Sequence, residues 1–275
     1  MSARSPGALS WSDRSITAIE RILPTAFLFG LLAVPWAPGR ADPFLDRLRL
    51  AEGERQALER ACDGDRLCIA RRLVAERPDR YRLVAVKTPD TDTIRWVRSR
   101  PSIAGLEPLA DGRLLVRLER FGRNLLREFR ERLPAGSRIL LDLRGHDGGD
   151  FGRMLQLARA LLGSRLTAPL VDTGDGPRPV PLPATPPLRL RLEAVLVGSG
   201  TASSAEVLAA LAARAGVPLC GGRSRGKDWL EEVVPVRQGW QLHVRRGRIT
   251  VPGIRLAGGL RPGRGIAACR ANPNG

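Results

Sequence analysis

Two residues of this chain combine a reactive type with a setting suited to acyl transfer: Ser203 and Lys227. Ser203 lies in Gly198-Ser199-Gly200-Thr201-Ala202-Ser203-Ser204-Ala205-Glu206. An apolar run at 194–197 precedes this turn and reads as a buried strand, and residues 207–213 follow as a helix. The turn therefore delivers a hydroxyl to a helix start, where unpaired backbone N–H groups can hold an oxyanion. The same letters, Ser203-x-x-Glu206, also spell a capping box, which does no more than start a helix. Lys227 ends a second glycine turn, Gly221-Gly222-Arg223-Ser224-Arg225-Gly226-Lys227. All but two of the 45 lysine-plus-arginine cations are arginine, the lysines being Lys87 and Lys227. Arginine cannot give up its proton in a protein, whereas a desolvated lysine can, so Lys227 is a candidate base. Lys87 reads as an exposed structural residue.

The elements that would position these residues follow from periodicity and turn signals. Residues 1–41 read as an export signal: Arg14 and Arg21, an apolar stretch at 22–37 broken by Pro24 and Pro35, then Gly39-Arg40-Ala41 as a cleavage site. An uncleaved amino-terminal anchor is the alternative, and the only membrane attachment expected. Residues 42–110 read as a small α+β appendage, with helical patterns at 45–61 and 67–76 and strand-like runs at 81–87 and 93–97. Cys62 and Cys68 flank the turn Asp63-Gly64-Asp65-Arg66, where a disulfide would staple a helical hairpin. Cys220 and Cys269 could pair only if the carboxy-terminal segment returns beside the strand at 217–220.

Residues 111–275 read as the main domain. Strands are expected at 114–121, 138–143, 194–197 and 217–220, and helices at 125–133, 151–162 and 207–213. A three-stranded meander is expected at 232–236, 240–245 and 248–251. Residues 167–189 carry seven prolines and read as an extended excursion without regular structure. Repeated strand–helix units imply an α/β fold with parallel pairing, and the turns after such strands gather along one edge, where sites form.

Composition bounds the function classes. The 275 residues, 43% hydrophobic with 30 Gly and 22 Pro, are those of a globular protein. The net charge of +17 comes from arginines spread along the whole chain, and aromatics make up only 4%. Nucleic-acid binding would call for a clustered basic patch with stacking aromatics, so no nucleic-acid partner is expected. Four cysteines suit an oxidising, periplasmic or secreted, location. Their intervals, and two isolated histidines, make no zinc site, and no cofactor is expected.

With both turns in place, the chain resembles the carboxy-terminal processing peptidases, or tail-specific proteases, a serine peptidase family with a Ser-Lys dyad. The resemblance covers about 111–265. Leu140-Leu141-Asp142-Leu143-Arg144-Gly145-His146-Asp147-Gly148-Gly149 is similar to the family's L-D-L-R-x-N-x-G-G, and Thr201-Ala202-Ser203-Ser204-Ala205-Glu206 to its S-A-S-A-S-E. Gly222-Arg223-Ser224-Arg225-Gly226-Lys227 is similar to G-E-x-T-x-G-K. Ile249-Thr250-Val251-Pro252-Gly253 and Gly258-Gly259-Leu260-Arg261-Pro262 are similar to T-P-x-G and G-I-x-P-D.

The resemblance implies a crotonase/ClpP-like core acting on protein or peptide substrates. It makes Ser203 the nucleophile, Lys227 the general base, and the N–H groups of Gly148 and Ser204 the oxyanion hole. Asp142 and Arg144 are then architectural, and Glu206, His146 and Glu231 support the site. The chain departs from the family pattern in four ways. His146 replaces an asparagine, and invites a Ser-His scheme as a lesser alternative. The stretch between serine and lysine is about one residue shorter. Glu231 stands where a glutamine orients the dyad, and a carboxylate there would favour protonated lysine or hold Lys227 in place. Residues 42–110 are too short and too helical for the substrate-capturing PDZ domain that many members carry. The expectation is an exported serine endopeptidase, with a catalytically inactive envelope peptide-binding or scaffold protein as the alternative.

Overall fold

The computed structural model describes residues 43–86, 100–237, 239–263 and Cys269. The expected export segment, Lys87 and the expected strand at 93–97 lie outside those residues. Helices α1 (Pro43–Leu48), α2 (Glu52–Cys62) and α3 (Arg66–Glu76) lead into strand β1 (Tyr81–Ala85). There follow β2 (Ile103–Pro108), β3 (Leu114–Leu118), α4 (Leu125–Arg132), β4 (Arg138–Asp142) and α5 (Phe151–Leu162). After them come β5 (Leu170–Asp172), β6 (Pro177–Pro179), β7 (Arg191–Val197), α6 (Ser204–Arg214), β8 (Leu219–Gly221), β9 (Trp229–Arg237) and β10 (Trp240–Thr250).

The first sheet has the order β2-β3-β4-β7-β8. Strands β3, β4, β7 and β8 run parallel, because each is joined to the next through a helix, and β2 pairs antiparallel with β3. Ile139, Leu140 and Leu141 are all fully buried, as expected of a parallel strand covered on both faces. On one face, Phe129 of α4, Met154 and Leu157 of α5, and Leu208 and Leu211 of α6 build the main core. Helix α6 is buried all round from Ala205 to Ala212, and its small alanines let it lie close against α5 and β7. On the other face Leu115, Leu140, Ala194 and Leu196 form a smaller cluster with Cys220 and Cys269, which are disulfide-bonded.

The second sheet is built on the long strand β10. Strand β9 pairs along one edge of it; β1 and then β5 pair along the other, with β6 outermost. Helices α1–α3 cover one face, where Phe44, Leu48, Ile69, Leu73 and Tyr81 pack on Val234, Val236, Leu242 and Val244. The α2–α3 hairpin turns through Asp63 and Gly64, both at positive φ, and Asp65 caps α3 by accepting from the N–H groups of Leu67 and Cys68. Cys62 and Cys68 are bonded across this turn.

Several expectations change in detail. The helix expected over 45–61 is two helices, because Arg49 adopts φ 54 and ends α1. The proline-rich excursion contains β5 and β6, whose prolines are tolerated because β6 is an outer strand that needs no donors on its free edge. The last two strands of the expected meander are one strand, β10, which passes through a bulge between Arg245 and Gly247. The sheets also cross position 110: β2 belongs to the first sheet, and β1 shares the second with β9 and β10.

Candidate active site

The site forms where three strand-end turns of the first sheet converge: those after β4, after β7 and after β8. In the turn after β4, the buried Asp142 accepts from the Arg144 backbone N–H at 3.0 Å and from its guanidinium at 2.9 and 2.7 Å. Burial pushes this carboxyl up, but the bonds and charge of Arg144 outweigh it and hold Asp142 below its ordinary value. The pair clamps the start of the loop that carries His146 and Gly148.

His146 has no exposed surface, and burial lowers its pKa to about 4 against a weak opposing pull from Asp147. It is therefore neutral at physiological pH. Its Nδ1 accepts from the Gly148 N–H at 3.1 Å, which places the ring proton on Nε2. The ring packs on Phe121 with centroids 4.2 Å apart. This is a turn-forming role, and it engages one of the two N–H groups expected to face an oxyanion.

The turn after β7 carries Ser203 at φ 55, ψ −127, a conformation disfavoured for a residue with a side chain. A sharp strand-to-helix turn of this kind can present a serine hydroxyl at a sheet edge. Neighbouring contacts enforce it. The Ala202 N–H donates to the His146 carbonyl at 3.1 Å, and the Ser204 hydroxyl to the Gly149 carbonyl at 2.9 Å. Thr201 Oγ1 donates to the Leu143 carbonyl at 2.7 Å. Gly148 lies so close that a Cβ on it would stand 2.8 Å from Ser203 Cβ, and its φ of 111 also demands glycine. The Ser204 N–H, at the first position of α6, makes no hydrogen bond among the described residues.

The third turn is tied to the second by Glu206, which is 0% exposed. Its Oε2 accepts from the backbone N–H of Ser203 at 2.9 Å and of Lys227 at 2.8 Å. Its Oε1 accepts from the Ser224 hydroxyl and the Gly226 N–H, both at 2.5 Å. Four donors replace the water this carboxylate gave up. The capping role expected of Glu206 is present, and it is one bond of four. Ser224, which the sequence did not single out, also accepts from the Leu260 N–H at 2.7 Å and so joins the turn at 258–260 to the site. Its signal was available as the threonine-like position of the lysine motif.

Lys227 follows Gly226, where a Cβ would meet the Gly259 nitrogen at 2.5 Å. Lys227 Nζ donates to Glu231 Oε2 at 2.7 Å, and among the described residues no hydrogen bond links it to Ser203. Glu231 also faces His243 at 3.5 Å, Arg82 at 3.9 Å and Arg245 at 4.0 Å. His243, its largest influence, together with Lys227, lowers the Glu231 pKa to about 2 despite burial. His243 was given no role from sequence, yet it sits in this cluster because β9 and β10 pair.

No curated protein matches. Among solved structures it is similar to the photosystem II D1 C-terminal processing protease, at 25% identity over 68% of this chain and 48% of that one, with a TM-score of 0.42. It is similar to mature CPAF complexed with lactacystin, at 14% identity over 60% and 51%, TM-score 0.42. It is also similar to a lipoprotein from Streptococcus agalactiae, at 16% identity over 82% and 90%, TM-score 0.58, a likeness of fold. The chain thus spans about half the length of the two proteases. The model of peptidase family S41 matches residues 114–260, more than half of the chain and all three turns of the site. The chain belongs to peptidase family S41.

Proposed function

We propose that this chain is an exported serine endopeptidase with Ser203 as nucleophile and Lys227 as general base, on a crotonase/ClpP-like core. The observation that carries the reading is the shared Glu206 oxygen: Oε2 accepts from Ser203 N–H and Lys227 N–H, so one buried carboxylate sets the two residues side by side. Neutral Lys227 takes the Ser203 proton as Oγ attacks the substrate carbonyl carbon. The oxyanion is met by the Ser204 N–H, and by the Gly148 N–H once it exchanges His146 for the substrate oxygen. Lys227 returns its proton to the departing amine, and then activates the water that hydrolyses the acyl ester. The Lys227–Glu231 pair must part for the lysine to act as a base. The bonded cysteine pairs favour an oxidising, extracytoplasmic location.

A serine-reactive fluorophosphonate tests the reading. Labelling is expected in the native chain and lost in Ser203→Ala. Lys227→Arg is expected to abolish peptide turnover with the fold retained, since arginine keeps the charge and cannot accept a proton. Turnover by Lys227→Arg would overturn the dyad. The Lys227–Glu231 ion pair favours a second reading, a non-catalytic peptide-binding relative, which absence of labelling across a wide pH range would support.

A further inference from the structure

We infer that His243 is a positioning residue whose proton decides how tightly Glu231 holds Lys227; the inference rests on the reading of Lys227 as the base. The ladder registers place Arg82 of β1 opposite His243 of β10, and Arg245 of β10 opposite Glu231 of β9. By strand alternation these side chains share the sheet face opposite Leu242, Val244 and helices α1–α3. A row of charged groups thus runs from β1 across β10 and β9 to Lys227.

The key atom is His243 Nδ1. It lies 3.3 Å from an Arg82 guanidinium nitrogen and 3.5 Å from Glu231 Oε2. Those neighbours make opposite demands. A guanidinium only donates, so it needs a bare Nδ1; an ionised carboxylate only accepts, so it needs Nδ1–H. One nitrogen cannot satisfy both. With Nδ1 bare, His243 accepts from Arg82, and Glu231 Oε2 is left to Lys227 Nζ at 2.7 Å. With Nδ1 protonated, His243 and Lys227 compete for that same oxygen. The ion pair loosens, and Lys227 can release its proton and turn to Ser203. Glu231 itself stays ionised throughout, since His243, Lys227 and Arg82 lower its pKa to about 2. The charged groups facing His243 are Arg82 of β1, Glu231 of β9 and Lys227 of the turn before it, with Arg245 beside it on β10.

The test is a double-mutant cycle read as kcat/KM against pH. His243→Leu is expected to lower kcat/KM by about fivefold or more and to move its acidic limb to higher pH. His243→Gln, whose amide can donate to Glu231, is expected to restore most of the rate. In a Glu231→Gln background, His243→Leu is expected to change the rate by less than about twofold. An equal loss in both backgrounds would overturn the inference. A readout independent of activity is available because the chain has only two histidines, so His146→Asn assigns the ring signals by NMR. Glu231→Gln is expected to shift the His243 ring nitrogen resonances, since Nδ1 loses its carboxylate neighbour, and unshifted resonances would overturn the coupling. Failure of the dyad is seen separately, as peptide turnover retained by Lys227→Arg.

Discussion

Glu206→Gln tests the brace most directly, because it changes one oxygen to an amide nitrogen and leaves the shape intact. Whichever oxygen is replaced, two donors lose their acceptor: the Ser203 and Lys227 N–H groups at Oε2, or the Ser224 hydroxyl and Gly226 N–H at Oε1. The hydroxyl can rotate and the backbone N–H groups cannot, so the amide nitrogen settles towards Ser224 and Gly226. No water reaches a group that is 0% exposed. Bonds to a charged acceptor are worth about 1.5–3 kcal/mol each, and a stranded buried donor costs a comparable amount. The expected loss is about 3–5 kcal/mol. A residue that only caps α6 would cost about 1 kcal/mol. Urea denaturation of both proteins at pH 7 with disulfides intact distinguishes the two, provided the m-values agree. The stranded Gly226 N–H adjoins Lys227, and if its shift costs the transition state about 1.4 kcal/mol, kcat falls about tenfold. A stability loss of about 1 kcal/mol with unchanged kcat would refute the brace and return Glu206 to a simple cap.

Ser203→Gly is expected to raise stability by about 1 kcal/mol in thermal denaturation while abolishing labelling, because glycine relieves the strain of φ 55. His146 binds its proton less readily when folded than the ordinary 6.5, at about 4, so the unfolded state holds more protons between those values. The native chain should therefore lose about 3 kcal/mol of stability as pH falls from 6.5 to 4, and His146→Asn should flatten that loss in pH-dependent unfolding. The Cys220–Cys269 bond spans 49 positions and the Cys62–Cys68 bond 6, so removing the first should cost about 4 kcal/mol and the second about 2, compared by urea unfolding of the paired-alanine variants.

Much of the candidate site's framework was legible because its turns are local. Gly148, Ser203, Ser204 and Lys227 each sit in a short turn whose residue types declare the turn, and all three turns follow apolar strands. Helix α5 matches the 151–162 expected from its apolar periodicity, and Asp150 caps it by accepting from the Arg153 N–H. The second sheet was less legible. Its strands come from three separate stretches, β1, the β5–β6 pair and the β9–β10 pair, and nothing local states that Arg82 meets His243. The proline-bearing β6 also violates strand propensity, which only its outer position excuses.

From the sequence alone come the residue types of the site, the turns that hold them, and the strand–helix alternation that brings those turns to one sheet edge. Glycine placement and apolar periodicity act over a few residues, so they can be read in order along the chain. Tertiary structure decided what each polar atom bonds. It put Glu206 between Ser203 and Lys227 as well as at a helix cap, and gave the Gly148 N–H to His146. It also set His243 and Arg82 around the carboxylate of Glu231. These partners lie up to 161 positions apart in the chain, and a hydrogen bond needs its donor within about 3 Å. Only the packed fold sets such distances.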